Sequence, residues 1–249
     1  MLENSSKPGL AKRAGIIAAL TAWLLTATIV SIAIASGLYW AIDTFNLLGS
    51  LPSNVETVLY GVIVYSLLLA VLLLGPWFWK RHLVTRKVLG LHRLVSWLDI
   101  GVSLSGIVLY FIAAIAVTYA VMQFVPSVDL EQTQDVGITL PTGYELVLAF
   151  LLLVIIGPII EEVIFRGYLY GTLRRYGVSI VTATLVVSVL FGIAHGQWNV
   201  GINVAVLSVV MCLSREITGS LWPSILMHMM KNGIAYVVLY GASGIPGLQ

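Results

Sequence analysis

Glu161, Glu162, Arg166, His195, His228, Lys231 and Asn232 all stand inside or at the edge of long apolar stretches. A charged side chain at the depth of a bilayer costs about 2.5–3.5 kcal/mol on insertion scales, so a cluster of them calls for a purpose. Their types suit hydrolysis. Cleaving a peptide bond needs an activated water, donors for the developing oxyanion and a proton for the leaving amine. A buried carboxylate can serve as base and a histidine can hold the same water. A second histidine followed four residues later by an amide offers two donors on one helix face. On this reading Glu161, His195, His228 and Asn232 are the candidate catalytic residues.

Spacing adds geometry. Glu162 and Arg166 are four apart, with Glu N-terminal to Arg, the better order for a helical ion pair. They read as a structural pair that compensates charge. Phe191 and His195 share one face, as do His228 and Asn232. Glu161 and His195 each lie about 17 residues from a turn near 176–179, or about 25 Å at 1.5 Å per residue. Two continuous antiparallel helices would hold them level. Pro158 removes a backbone donor just before the acidic pair and should kink its helix. Gly167/Gly171 and Gly192/Gly196 would allow close helix approach. Lys231 has two readings. It snorkels to an interface, or it borders a polar cleft and attracts an acidic group such as a substrate C-terminal carboxylate.

The elements that must position these groups follow from composition. Of 249 residues, 59% are apolar and 10% charged, against about 25% charged in soluble domains. Lipid is therefore the expected solvent. A helix needs about 20 apolar residues to cross a bilayer. Candidate spans are 14–41, 55–79, 96–124, 144–172, 178–196, 200–214 and 222–241. The expected fold is an all-α polytopic transmembrane helix bundle of about seven spans. It forms a single domain over 1–249, with a motif-bearing core at 144–241 and a polar site among spans four, five and seven. The first three spans read as packing and enclosure. The first apolar run is too long for a signal-peptide core and reads as a retained span.

The loop charges sort by side. With the N-terminus in the cytoplasm, Lys7, Lys12, Arg13, Lys80, Arg81, Arg86, Lys87, Arg93, Arg174, Arg175 and Arg215 fall on the inner face. Asp43, Glu56, Asp129, Glu131, Asp135 and Glu145 fall outside, with no Lys or Arg among them. The net charge of +2 gives no basis for a nucleic-acid partner. The single Cys212 excludes an intrachain disulfide and any multi-cysteine metal site.

Other protease signatures fail: there is neither H-E-x-x-H nor G-x-G-D. Three motifs occur in order on successive apolar segments: Glu161-Glu162-x-x-x-Arg166, Phe191-x-x-x-His195 and His228-x-x-x-Asn232. Together they resemble the CPBP family of intramembrane endopeptidases, which includes type II CAAX prenyl proteases and bacteriocin-processing or immunity proteins. The resemblance implies a water-activating pair at Glu161 and His195 and oxyanion stabilisation by His228 and Asn232.

No cofactor is favoured. Zinc held by Glu161, His195 and His228 is the metal alternative, set against the lack of any two of these on one helix at metal-binding spacing. Expected partners are membrane lipids and a membrane-associated or prenylated protein or peptide, in a multi-pass protein of a prokaryotic plasma membrane. Two rival readings remain. One is a non-proteolytic immunity or scaffold protein of the same fold. The other is a proton-coupled transporter, against which the nearly apolar first half counts.

Overall fold

A computed structural model describes residues 9–80, 84–125, 127–129, 132 and 136–241. Lys7, Arg81, Glu131 and Asp135, used above to sort charge by side, lie outside these. The described chain is helical, with no strand among the described residues. The long helices are α1 (Leu10–Thr44), α2 (Ser53–Lys80), α4 (Trp97–Phe124), α5 (Tyr144–Arg175), α6 (Ile180–Ile193), α7 (Trp198–Thr218) and α8 (Trp222–Tyr240). A four-residue helix, α3 (Arg86–Leu89), lies between α2 and α4.

The molecule is an integral membrane protein by the length and apolarity of its helices. Among the described residues five helices are long and apolar enough to cross a membrane: α1, Ser53–Pro76 of α2, α4, α5 and α7. The segment expected at 178–196 forms only the 14-residue α6. The one expected to be short, 200–214, extends to 21 residues. In α8, His228, Lys231 and Asn232 interrupt the apolar run.

Each outer helix buries a narrow stripe and leaves the rest to lipid. In α1 the buried residues are Leu24, Ala27, Ser31 and Ala35, a single row at helical spacing. In α4 they are Asp99, Ser103, Gly106, Ile107, Tyr110 and Ala114, while Leu104, Val108, Ile112 and Ile115 are exposed. Such apolar exposure is costly in water and costless in hydrocarbon. The start of α4 is fixed by a capping box between Ser96 and Asp99, a motif whose cap is typically worth ~1 kcal/mol. Arg93, outside the span, pairs with Asp99. That bond holds its guanidinium above the usual arginine range.

The site-bearing helices pack more tightly. The expected hairpin turn is present: α5 ends at Arg175 and α6 begins at Ile180, capped by the Ser179 hydroxyl. Where α6 meets α7, a Cβ on Gly192 would come within 2.7 Å of the Gly201 carbonyl oxygen, and one on Gly201 equally close to that of Gly192. Only glycine permits this approach. Gly196, expected to act with Gly192, instead has φ +70 and open space around it; it turns the chain after α6. Cys212 is buried, as a small core residue should be.

Candidate active site

The acidic pair lies on α5, between two stretches where that helix winds more widely. Gly157–Glu162 is α-helical, and Leu151–Ile156 before it and Val163–Tyr170 after it are π-helical. The kink expected at Pro158 is thus realised as a change of winding. A proline lacks the N–H that would bond back one turn, and a wide turn absorbs the missing bond. π-Turns inside α-helices occur often at functional sites. They also alter rise and rotation, so depth counted at a uniform rise does not carry over to α5.

Glu162 and Arg166 form the expected ion pair, with Arg166 Nη1 donating to Glu162 Oε1 at 2.7 Å and both side chains fully buried. The same Oε1 lies 2.9 Å from His228 Nδ1 on α8. An ionised carboxylate only accepts, so Nδ1 carries the proton. The other ring nitrogen, Nε2, is then aimed at Glu161, 3.8 Å from its Oε2. That is too long for a direct hydrogen bond. The adjacent glutamates therefore address opposite edges of one imidazole.

Glu161 is less enclosed than Glu162, with 19% of its side chain exposed against none. Its Oε1 accepts from the Tyr65 hydroxyl of α2 at 2.5 Å. Tyr65 corrects the expectation that the first three spans only enclose. One signal was legible, a phenol within an otherwise apolar span, since a buried Tyr hydroxyl seeks a partner.

His195 lies just beyond α6, two residues after Ile193. Its Nδ1 is 2.8 Å from the carbonyl oxygen of Phe191, which can only accept. Nδ1 therefore donates in this contact, which leaves Nε2 as the nitrogen available to a water. The expected face-to-face contact of Glu161 with His195 is not the closest one made: among the described residues the histidine nearest to Glu161 by ion-pair distance is His228.

The two histidines meet through Phe191, which is fully buried. Its ring centroid is 4.9 Å from that of His195, 5.7 Å from that of His228 and 4.9 Å from that of Phe165, all edge-on. Arg166 Cζ lies 4.1 Å from the same ring centre. Edge-to-face pairs contribute about 0.5–1.5 kcal/mol beyond area burial, and a desolvated cation–π contact about 2 kcal/mol. Phe191 thus links all three motifs.

Asn232 faces the wall of the site. Its Nδ2 donates to the Leu153 carbonyl oxygen at 2.9 Å, a carbonyl of the first π-helical stretch. The amide keeps a second N–H. Lys231 has no carboxylate within ion-pair distance among the described residues. For the zinc alternative, no three His, Cys, Asp or Glu side chains gather as a metal-binding group among the described residues.

The fold and site define an all-helical integral membrane protein with a buried carboxylate–histidine cluster built from α2, α5, α6 and α8. Residues 143–234 match the family model described as type II CAAX prenyl endopeptidase Rce1-like. That segment contains all three motifs, so the resemblance drawn from them holds there; Tyr65 lies outside it. No curated protein and no solved structure matches the chain.

Proposed function

We propose that the protein is a glutamate-dependent intramembrane endopeptidase that cuts a membrane-associated or prenylated protein near its C-terminus. The observation that carries this reading is the placement of Glu161. One carboxylate oxygen is held by Tyr65, and the other faces His228 Nε2 at 3.8 Å. A gap of that size between two polar groups suits a shared water.

In this mechanism Glu161 takes a proton from that water, and the His195 Nε2 lone pair accepts from the water's other hydrogen. The oxygen attacks the scissile carbonyl carbon. His228, protonated at both nitrogens and stabilised through Nδ1 by Glu162, donates from Nε2 to the oxyanion. The second N–H of Asn232 is the other candidate donor. Glu161 then passes its proton to the leaving amine. Donors aimed at the developing charge are the largest single contribution in many such sites.

Seven crossings would be completed by the shorter α6 and by α8. The loop charges then put the N-terminus in the cytoplasm, in a prokaryotic plasma membrane.

The test is Glu161→Gln in a lipid-reconstituted cleavage assay on a peptide library, prenylated and not. The side chain keeps its shape and loses its basicity, so turnover should fall by about 10²–10⁴ with the fold intact. Undiminished cleavage by the folded variant would sink the mechanism. No cleavage by wild type of any member would favour a binding protein of the same fold.

A further inference from the structure

At the end of α5 away from the acidic pair lies a cavity of about 460 Å³ lined by several charged side chains. Arg174 on its wall is thirteen residues beyond Glu161, past the second π-helical stretch and next to the end of α5 at Arg175. That places the cavity where a span ends and headgroups begin. Thr85, Lys87 and Val88 line it from the α3 region, Tyr170, Gly171, Arg174 and Arg175 from α5, and Arg215 and Glu216 from α7.

Its charge is unbalanced. Glu216 is satisfied internally: it accepts from Arg174 Nε at 3.0 Å, from Arg174 Nη2 at 2.8 Å and from the Tyr170 hydroxyl at 2.9 Å. Arg174 also donates to the Val178 carbonyl. That leaves Lys87, Arg175 and Arg215 with no carboxylate at ion-pair distance among the described residues. Arg215 spends one nitrogen on the Val88 carbonyl at 3.1 Å, while its Nε is buried without a hydrogen-bond partner. A buried, unpaired donor on a cation is costly. The Thr85 hydroxyl accepts from Val88 N–H at 3.3 Å and so keeps its own proton to donate.

We infer that this cavity is a binding site for a phosphate group, held by Lys87, Arg175 and Arg215 and oriented by the Thr85 hydroxyl. A guanidinium and an ammonium converging with a hydroxyl match the several acceptor oxygens of a phosphate. At this depth the phosphate is either that of an anionic lipid headgroup, for which basic pockets between membrane helices are suited, or free phosphate from the aqueous side. The site stands independently of the peptidase reading.

Native mass spectrometry of the full chain in neutral detergent tests it, titrating phosphatidylglycerol, phosphatidylcholine and inorganic phosphate. Wild type should retain phosphatidylglycerol about tenfold or more tightly than phosphatidylcholine. Lys87→Gln combined with Arg175→Gln should abolish that preference. Both side chains are exposed and unpaired, so the double variant should keep its melting point. Arg86→Gln, which changes an exposed neighbour that does not line the cavity, should keep the preference. Binding of inorganic phosphate that is lost in the double variant, without selective lipid retention, would identify free phosphate as the source and keep the site. Equal retention of the two lipids with no phosphate binding would overturn the inference. So would a double variant that binds like wild type.

Discussion

His228 Nδ1 lies 2.9 Å from Glu162 Oε1. The neighbouring glutamate, Glu161, faces the opposite edge of the same ring. This relationship gives the second glutamate of the pair two tasks: it neutralises Arg166 and it fixes the tautomer and direction of a histidine one helix away. A structural role and a positioning role then cannot be separated by removing Glu162 itself. They can be separated through Arg166.

Arg166→Ala strands the Glu162 carboxylate in a fully buried place. Breaking a buried pair in this way costs about 3–5 kcal/mol. The melting point in detergent should drop clearly, and turnover should fall with it as His228 loses its anchor. An unchanged melting point with lost turnover would assign Arg166 to the chemistry instead.

Tyr65→Phe removes one hydroxyl and keeps the ring. A hydrogen bond to a charged group is worth about 1.5–3 kcal/mol, so kcat should fall by roughly 10- to 100-fold. KM and melting temperature should move little. Wild-type kcat in the folded variant would show that Glu161 is held adequately without it.

Lys231→Met keeps length and removes charge. If Lys231 faces the cleft, KM should rise several-fold for peptides ending in a free carboxylate and stay nearly constant for their amidated forms. Equal effects on both, or none on either, would return Lys231 to the snorkelling account.

Chelation probes the donor set. Because no three His, Cys, Asp or Glu side chains gather as a metal-binding group among the described residues, cleavage should survive dialysis against a strong chelator. Stoichiometric zinc in the purified enzyme, with activity lost on chelation and restored by zinc, would reverse this.

The sequence by itself determined the solvent, the helical class and the polar residues that matter. Low charge rules out a water-facing surface, and a polar group inside a span is costly enough to mark itself. The Glu162–Arg166 pair was legible because i,i+4 spacing is local geometry, set by one helix. The tertiary structure decided who faces whom. Tyr65 meets Glu161 and Glu162 meets His228 across 96 and 66 residues, and each contact depends on how separate helices rotate about their axes. Apolar patterning cannot report that rotation, because in a membrane the lipid-facing side is as apolar as the packed side. The π-helical stretches flanking Gly157–Glu162 are equally invisible to counting at a uniform rise, and the 3.8 Å approach of Glu161 to His228 is a tertiary contact. Span number is hard to read for a related reason: the side chains of the candidate site are the ones that break the apolar run of α8, so the hydropathy signal fades there.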